Sequence, residues 1–151
     1  MRIALGSDHA GYPLKSLVAK HLLDAGHDVL DVGTDSEESV DYPEFCATAA
    51  RAVSAGQADL AIVFGGSGQG EQIAANKVHG IRAALCVNEW MARMARSHND
   101  ANVLALGARV LGSDLALSIV DTFLGQSFDG GRHERRVGQI TQIEQEECGR
   151  E

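Results

Sequence analysis

A strand that runs straight into a glycine turn and then a helix constrains this chain more than any other feature. Leu60 to Phe64 is an unbroken apolar run between Asp59 and Gly65, the pattern of a short strand buried on both faces. Gly65, Gly66, Gly68 and Gly70 crowd the turn around Ser67 and Gln69, and Ile73, Ala74 and Ala75 resume at helical spacing. Glycines let the backbone pass close to a ligand, and a helix start aims free N–H groups at an anion. Developing negative charge can be held at such a turn. Glu71 is its odd residue, because a carboxylate there either caps the helix or does proton chemistry.

Familiar glycine motifs fail on spacing. A dinucleotide fingerprint needs a third glycine where this chain has Glu71, and a P-loop needs Gly-Lys-Ser/Thr directly before the helix, whereas Lys77 comes too late. Gln69 takes the last glycine position of a G-x-S-x-G elbow, so Ser67 is not expected to be a nucleophile.

The rest of the chain alternates strands and helices. Arg2 to Ser7 reads as a first strand, followed by Asp8-His9-Ala10-Gly11-Tyr12 and an amphipathic helix from Pro13 that Gly26 closes. His9 is open to two readings, a ligand-facing residue or a local hydrogen-bonding one. His27 to Val32 alternates as a second strand, Gly33 to Asp41 is a polar loop, and Tyr42-Pro43 opens a helix through Val53 with Asp41 placed to cap it. Gly80 to Val87 is a fourth apolar run and Asn88 begins the next helix. His98-Asn99-Asp100-Ala101-Asn102 then precedes the strand Val103 to Leu106, at whose end stands Arg109. Ser113 and Asp114 are expected to cap a helix over Leu115 to Leu124. From Gly130 onward Val137, Ile140 and Ile143 lie among charges, the pattern of a partly exposed helix or of one packed on a second subunit.

Five strands alternating with helices predict one α/β domain over residues 1–151, a doubly wound, Rossmann-like parallel sheet with helices on both faces. Asp8, His9, Ser67, Glu71, His98 and Arg109 all follow strands or glycine turns, so one crevice at the strands' carboxyl ends is expected to collect them. Net charge is -8, which opposes sequence-independent binding to nucleic acid or to an anionic membrane. Arg132, Arg135 and Arg136 nevertheless offer a local anion site. No apolar stretch approaches the ~20 residues of a membrane span and no signal peptide is evident, so a cytoplasmic protein is expected. Cys46, Cys86 and Cys148 are scattered and odd in number, and His9, His98 and His133 lack ligand spacing. Reduced thiols and no metal site are expected.

GSDHAGYPLK at residues 6–15, DYPEF at 41–45, GGSGQGEQIAANK at 65–77 and HNDANVLALGAR at 98–109 together resemble the type B ribose-5-phosphate isomerase and galactose-6-phosphate isomerase family. The resemblance runs on to RHERR at 132–136 and implies a metal-free, cofactor-free aldose-ketose isomerase, a dimer or tetramer with active sites between subunits. Many members carry a cysteine base at the position of Gly65. This chain is similar to the branch with glycine there and glutamate at the position of Glu71. The resemblance implies Glu71 as proton carrier, Asp8 and His98 in ring opening, and Asn99, Asp8 and Tyr42 orienting hydroxyls. It further implies His9, Arg109, Arg132 and Arg136 on the phosphate. The residues fit that chemistry, with Ser67 and the N–H groups of Gly66, Gly68 and Gly70 to hold an enediolate. Ribose 5-phosphate is the expected substrate, with tetrose or hexose phosphates as alternatives. Two rivals from other classes are a phosphate-ligand sensor, which has no need of Glu71, and a cysteine-dependent hydrolase using Cys86 near His98.

Overall fold

The computed structural model describes residues 1–148. Its elements alternate as expected: β1 Arg2–Ser7, α1 Tyr12–Asp24, β2 Asp28–Asp31, α2 Tyr42–Ser54, β3 Leu60–Gly65, α3 Gln69–Ala75, β4 Ala83–Leu85, α4 Glu89–Asn99, β5 Val103–Gly107, α5 Ser113–Gly125 and α6 Arg132–Glu147. The five strands form one parallel sheet in the order β2-β1-β3-β5-β4.

Alternation along the central strands divides large from small side chains. Ile3, Leu5, Ile62, Phe64, Leu104 and Leu106 face α1, α4 and α5 across a core closed by Val18, Leu22, Ile119 and Phe123. Full burial of such side chains is worth about 1.5–3 kcal/mol each. Ala4, Ala61, Val63, Val103 and Ala105 face the other way, against Cys46, Ala49 and Ala50 of α2 and Ala75 of α3. The small residues let α2 approach closely: a Cβ added at Gly6 would stand 2.7 Å from the Phe45 carbonyl oxygen.

Three local expectations change. The apolar run Gly80 to Val87 yields only a three-residue strand at the sheet edge. Side chains take over its amino end, where Asn102 Oδ1 accepts from the Arg82 N–H and Asn76 Oδ1 from the Ala83 N–H, each at 2.8 Å. Helix α5 starts with Gly112 as its N-cap and no side-chain cap, so neither Ser113 nor Asp114 plays the expected part. Asp41 does occupy the N-cap of α2, but its carboxylate makes no capping hydrogen bond. Among the described residues no helix is long and apolar enough to cross a membrane.

Candidate active site

The strand order reverses between β1 and β3, where chain connections depart to opposite sides and leave a crevice at the strands' carboxyl ends. In register there, Ser7 pairs with Phe64 and Gly65 with Gly107. A cleft of about 480 Å3 opens above this point, lined by Asp8, His9, Ala10, Tyr42, Gly66, Ser67, Gly70, Glu71, Arg109 and Val110.

Backbone hydrogen bonds fix its walls. The Ala108 N–H donates to the Gly65 carbonyl at 2.8 Å and the Arg109 N–H to that of Gly66 at 3.0 Å, which joins the glycine turn to the end of β5 and brings the Arg109 guanidinium to the cleft. Asp8 Oδ1 accepts from the Gly11 N–H at 2.9 Å. His9 Nδ1 lies 3.2 Å from both the N–H and the carbonyl oxygen of Val40. When Nδ1 accepts from that N–H, the proton sits on Nε2, ready to donate to an anion. The Tyr42 ring lies directly against Gly70, where an added Cβ would come within 2.5 Å of it.

Gly68 begins α3 with φ +82, a conformation glycine adopts without strain, and puts Glu71 in the first helical turn. The turn's close approach has a consequence at Gly65: a Cβ built there would overlap the Glu71 carboxyl group. The carboxyl therefore fills the space that a side chain at position 65 would take. It is only 4% exposed. Burial pushes its pKa above the ordinary glutamate value, hydrogen bonds from the backbone of Glu71 and Gly68 pull it down, and the Asp8 charge pushes it up. Glu71 thus both meets the backbone of the helix start and stands as a buried carboxyl at the cleft. Gly68 is buried against Leu85 and does not line the cleft, and its backbone serves the Glu71 carboxylate.

The expectation of one crevice also needs correction. Helix α4 leaves the carboxyl end of β4 and returns to the amino end of β5, so His98 and Asn99, on its last turn, stand at the far end of the sheet from Glu71. There the His98 and His133 rings stack at 4.0 Å, and the Asp129 N–H donates to the Ser97 carbonyl at 3.0 Å. Arg132 and Arg136 flank His133 on α6, both exposed. The expected site residues therefore fall into two groups at opposite ends of one chain. The backbone of Val40 supports His9, and Val110 forms a wall of the cleft. Neither carries a signal of its own in the sequence.

The two buried thiols are poorly placed for chemistry. Cys46 is fully buried, and burial with the charges of Glu71 and Asp8 holds it far above its ordinary pKa. Burial pushes Cys86 up to about 12. Among the described residues no group of three or more His, Cys, Asp or Glu is arranged to hold a metal ion.

A family model described as Ribose/Galactose Isomerase matches residues 3–140. The chain belongs to this family. Among its relatives, the ribose-5-phosphate isomerase B of Escherichia coli strain K12 is 49% identical over 144 residues, covering 95% of this chain and 97% of that protein. The solved ribose-5-phosphate isomerase B of Clostridium thermocellum superposes with a TM-score of 0.96 at 57% identity, covering 97% of this chain and 99% of that one. The enzyme of Mycoplasma genitalium, solved with ribulose-5-phosphate bound, superposes with a TM-score of 0.91 at 41% identity over 96% of this chain and 97% of that one. In this member of the ribose/galactose isomerase family, Gly65 and Glu71 share one space. Gly65→Ala is expected to displace the carboxylate, lower kcat/KM about 10-fold or more and cost about 1–3 kcal/mol of stability through overpacking. Steady-state kinetics and thermal melts check both.

Proposed function

We propose that the protein interconverts ribose 5-phosphate and ribulose 5-phosphate through an enediolate, in a homodimer whose two sites each draw on both subunits. The observation that carries the proposal is the buried Glu71 carboxyl, standing in the cleft at the strand-order reversal in the space that Gly65 leaves free.

Proton transfer between C1 and C2 needs a base whose pKa lies nearer neutrality than that of a solvated carboxylate, and burial supplies that shift. As the proton leaves, charge develops on the enediolate oxygens. Ser67 and the N–H groups of Gly66 and Gly70 line the cleft beside Glu71 and are placed to receive it. Asp8 and Tyr42 face the same space and would orient hydroxyls. His9 and Arg109 are the cationic or donor groups of this wall for the phosphate.

One chain brings only those two to the phosphate. Arg132 and Arg136, with His98 and Asn99, lie at the other end of their own sheet. A second copy, its α4–α6 end set against the cleft, would complete the phosphate grip and supply His98 for ring opening. The exposed Ile140 and Ile143 on α6 and the exposed Trp90 on α4 are consistent with an apolar contact between copies.

The test is to supply ribose 5-phosphate, follow ketose formation, and compare kcat/KM across four-, five- and six-carbon aldose phosphates. Ribose 5-phosphate is expected to give the highest value. A higher value with another chain length reassigns the substrate, and no ketose from any of them leaves a phosphate-ligand binder.

A further inference from the structure

Asp100 follows His98 and Asn99 and is the only non-glycine residue at positive φ among the described residues, with φ 45 and ψ 45 at the C-cap of α4. Helices α1 and α2 end on Gly26 and Gly56, which take positive φ without cost. Helix α4 instead uses an aspartate, a conformation held only where the surroundings enforce it.

Two arginines enforce it. Arg82 Nε donates to the Asn99 carbonyl at 2.8 Å and to the Asp100 carbonyl at 3.1 Å, while its Nη2 donates to the Asp100 carbonyl at 2.8 Å and to Oδ2 at 3.1 Å. Arg96 Nη1 donates to Asp100 Oδ1 at 3.0 Å and to the Ala101 carbonyl at 2.7 Å, and its guanidinium lies over the Phe123 ring at 5.6 Å. Each carboxylate oxygen thus meets one guanidinium, and three successive carbonyls at the end of α4 are all taken. Asn102 locks the other flank, accepting from the Arg82 N–H at 2.8 Å and donating to the Gly80 carbonyl at 2.9 Å. A helix end needs only its last carbonyls satisfied. This one is held from Arg82 just before β4, from α4 itself and from α5.

We infer that Asp100, clamped between Arg82 and Arg96, is a positioning residue for His98 and Asn99. The clamp fixes the backbone from which both side chains project, and through the His98–His133 stack it also fixes the start of α6, where Arg132 and Arg136 lie. The inference rests on the proposed function, which places His98 and Asn99 in the substrate site.

Asp100→Gly tests it, because glycine keeps the backbone conformation without strain and removes the carboxylate that Arg82 and Arg96 both hold, leaving only their bonds to backbone carbonyls. Asp100→Asn keeps the shape and one charge-neutral acceptor. The expected result for Asp100→Gly is a fall in kcat/KM of about 10- to 100-fold, with a smaller fall for Asp100→Asn. In a His98→Ala/Asn99→Ala background the glycine change is expected to have no further effect. Histidine ring NMR signals of His98 and His133 are expected to shift in Asp100→Gly while that of His9 stays in place. Undiminished loss in the double-alanine background, wild-type activity of Asp100→Gly, or unmoved His98 signals would each overturn the inference alone. Full activity of the His98→Ala/Asn99→Ala variant overturns it together with the site assignment on which it rests.

Discussion

Glu71→Gln is expected to lower kcat by at least about 10²-fold while leaving KM for the sugar phosphate near its wild-type value, because glutamine keeps the shape of the side chain and removes the base. Exchange of solvent deuterium into C2 should disappear with turnover. Retained exchange would place the base elsewhere. The wild-type acidic limb of kcat/KM should lie above the ordinary carboxylate range, since burial raises the Glu71 pKa. The same shift acts on stability. A carboxyl whose folded pKa is raised contributes stability that is fully present below the ordinary glutamate value and is lost as pH rises through the raised value. Glu71→Gln removes that titration, so its melting temperature should exceed that of the wild type by a margin that grows with pH across this window. A constant margin would mean that Glu71 titrates alike in the folded and unfolded chain.

Mixing two dead variants should restore activity. Homodimers of Glu71→Gln and of Arg136→Ala are each expected to be nearly inactive, the first for want of a base and the second because loss of a phosphate-gripping arginine costs about 2–5 kcal/mol. If Arg136 serves the neighbouring site, a hybrid dimer has one site carrying both defects and one carrying neither. Random reassembly of equal amounts should then regain about a quarter of wild-type activity, half of the dimers being hybrids with half of their sites intact. If Arg136 serves its own chain's site, every site keeps a defect, and hybrids as dead as their parents sink the shared-site model. The measurement is specific activity after joint unfolding and refolding, against each variant refolded alone.

Strands β1, β3 and β5 were legible because they are central, buried on both faces and therefore apolar without interruption. β4 was overread for a physical reason: Asn76 and Asn102 supply side-chain partners to the backbone of Arg82 and Ala83, and composition does not reveal that substitution for a ladder. The cleft residues Asp8, His9, Ser67, Glu71 and Arg109 were legible as a set, since each follows a strand or a glycine turn at the carboxyl end of the sheet, whereas Tyr42 entered only through the family resemblance. His98 was misplaced by the same rule applied once too often. It precedes β5, and a helix that returns antiparallel to its strands delivers its last turn to the opposite end. That Glu71 fills the space at Gly65 could not be read from spacing, because it is a through-space contact. Asp100 gave no sign of its strain in a segment already rich in polar residues.

The overlap at positions 65 and 71 bears on descent within the family. Acquiring a cysteine at 65 before Glu71 is lost crowds two side chains into one space, and on the proposed role of Glu71 losing it first removes the base. On the proposed role of Glu71 each single step weakens the enzyme, so a change of base calls for both positions to change together. Which of the two positions bears the base should therefore mark an old division between lineages, and it should hold even where the substrates of the two branches have since converged.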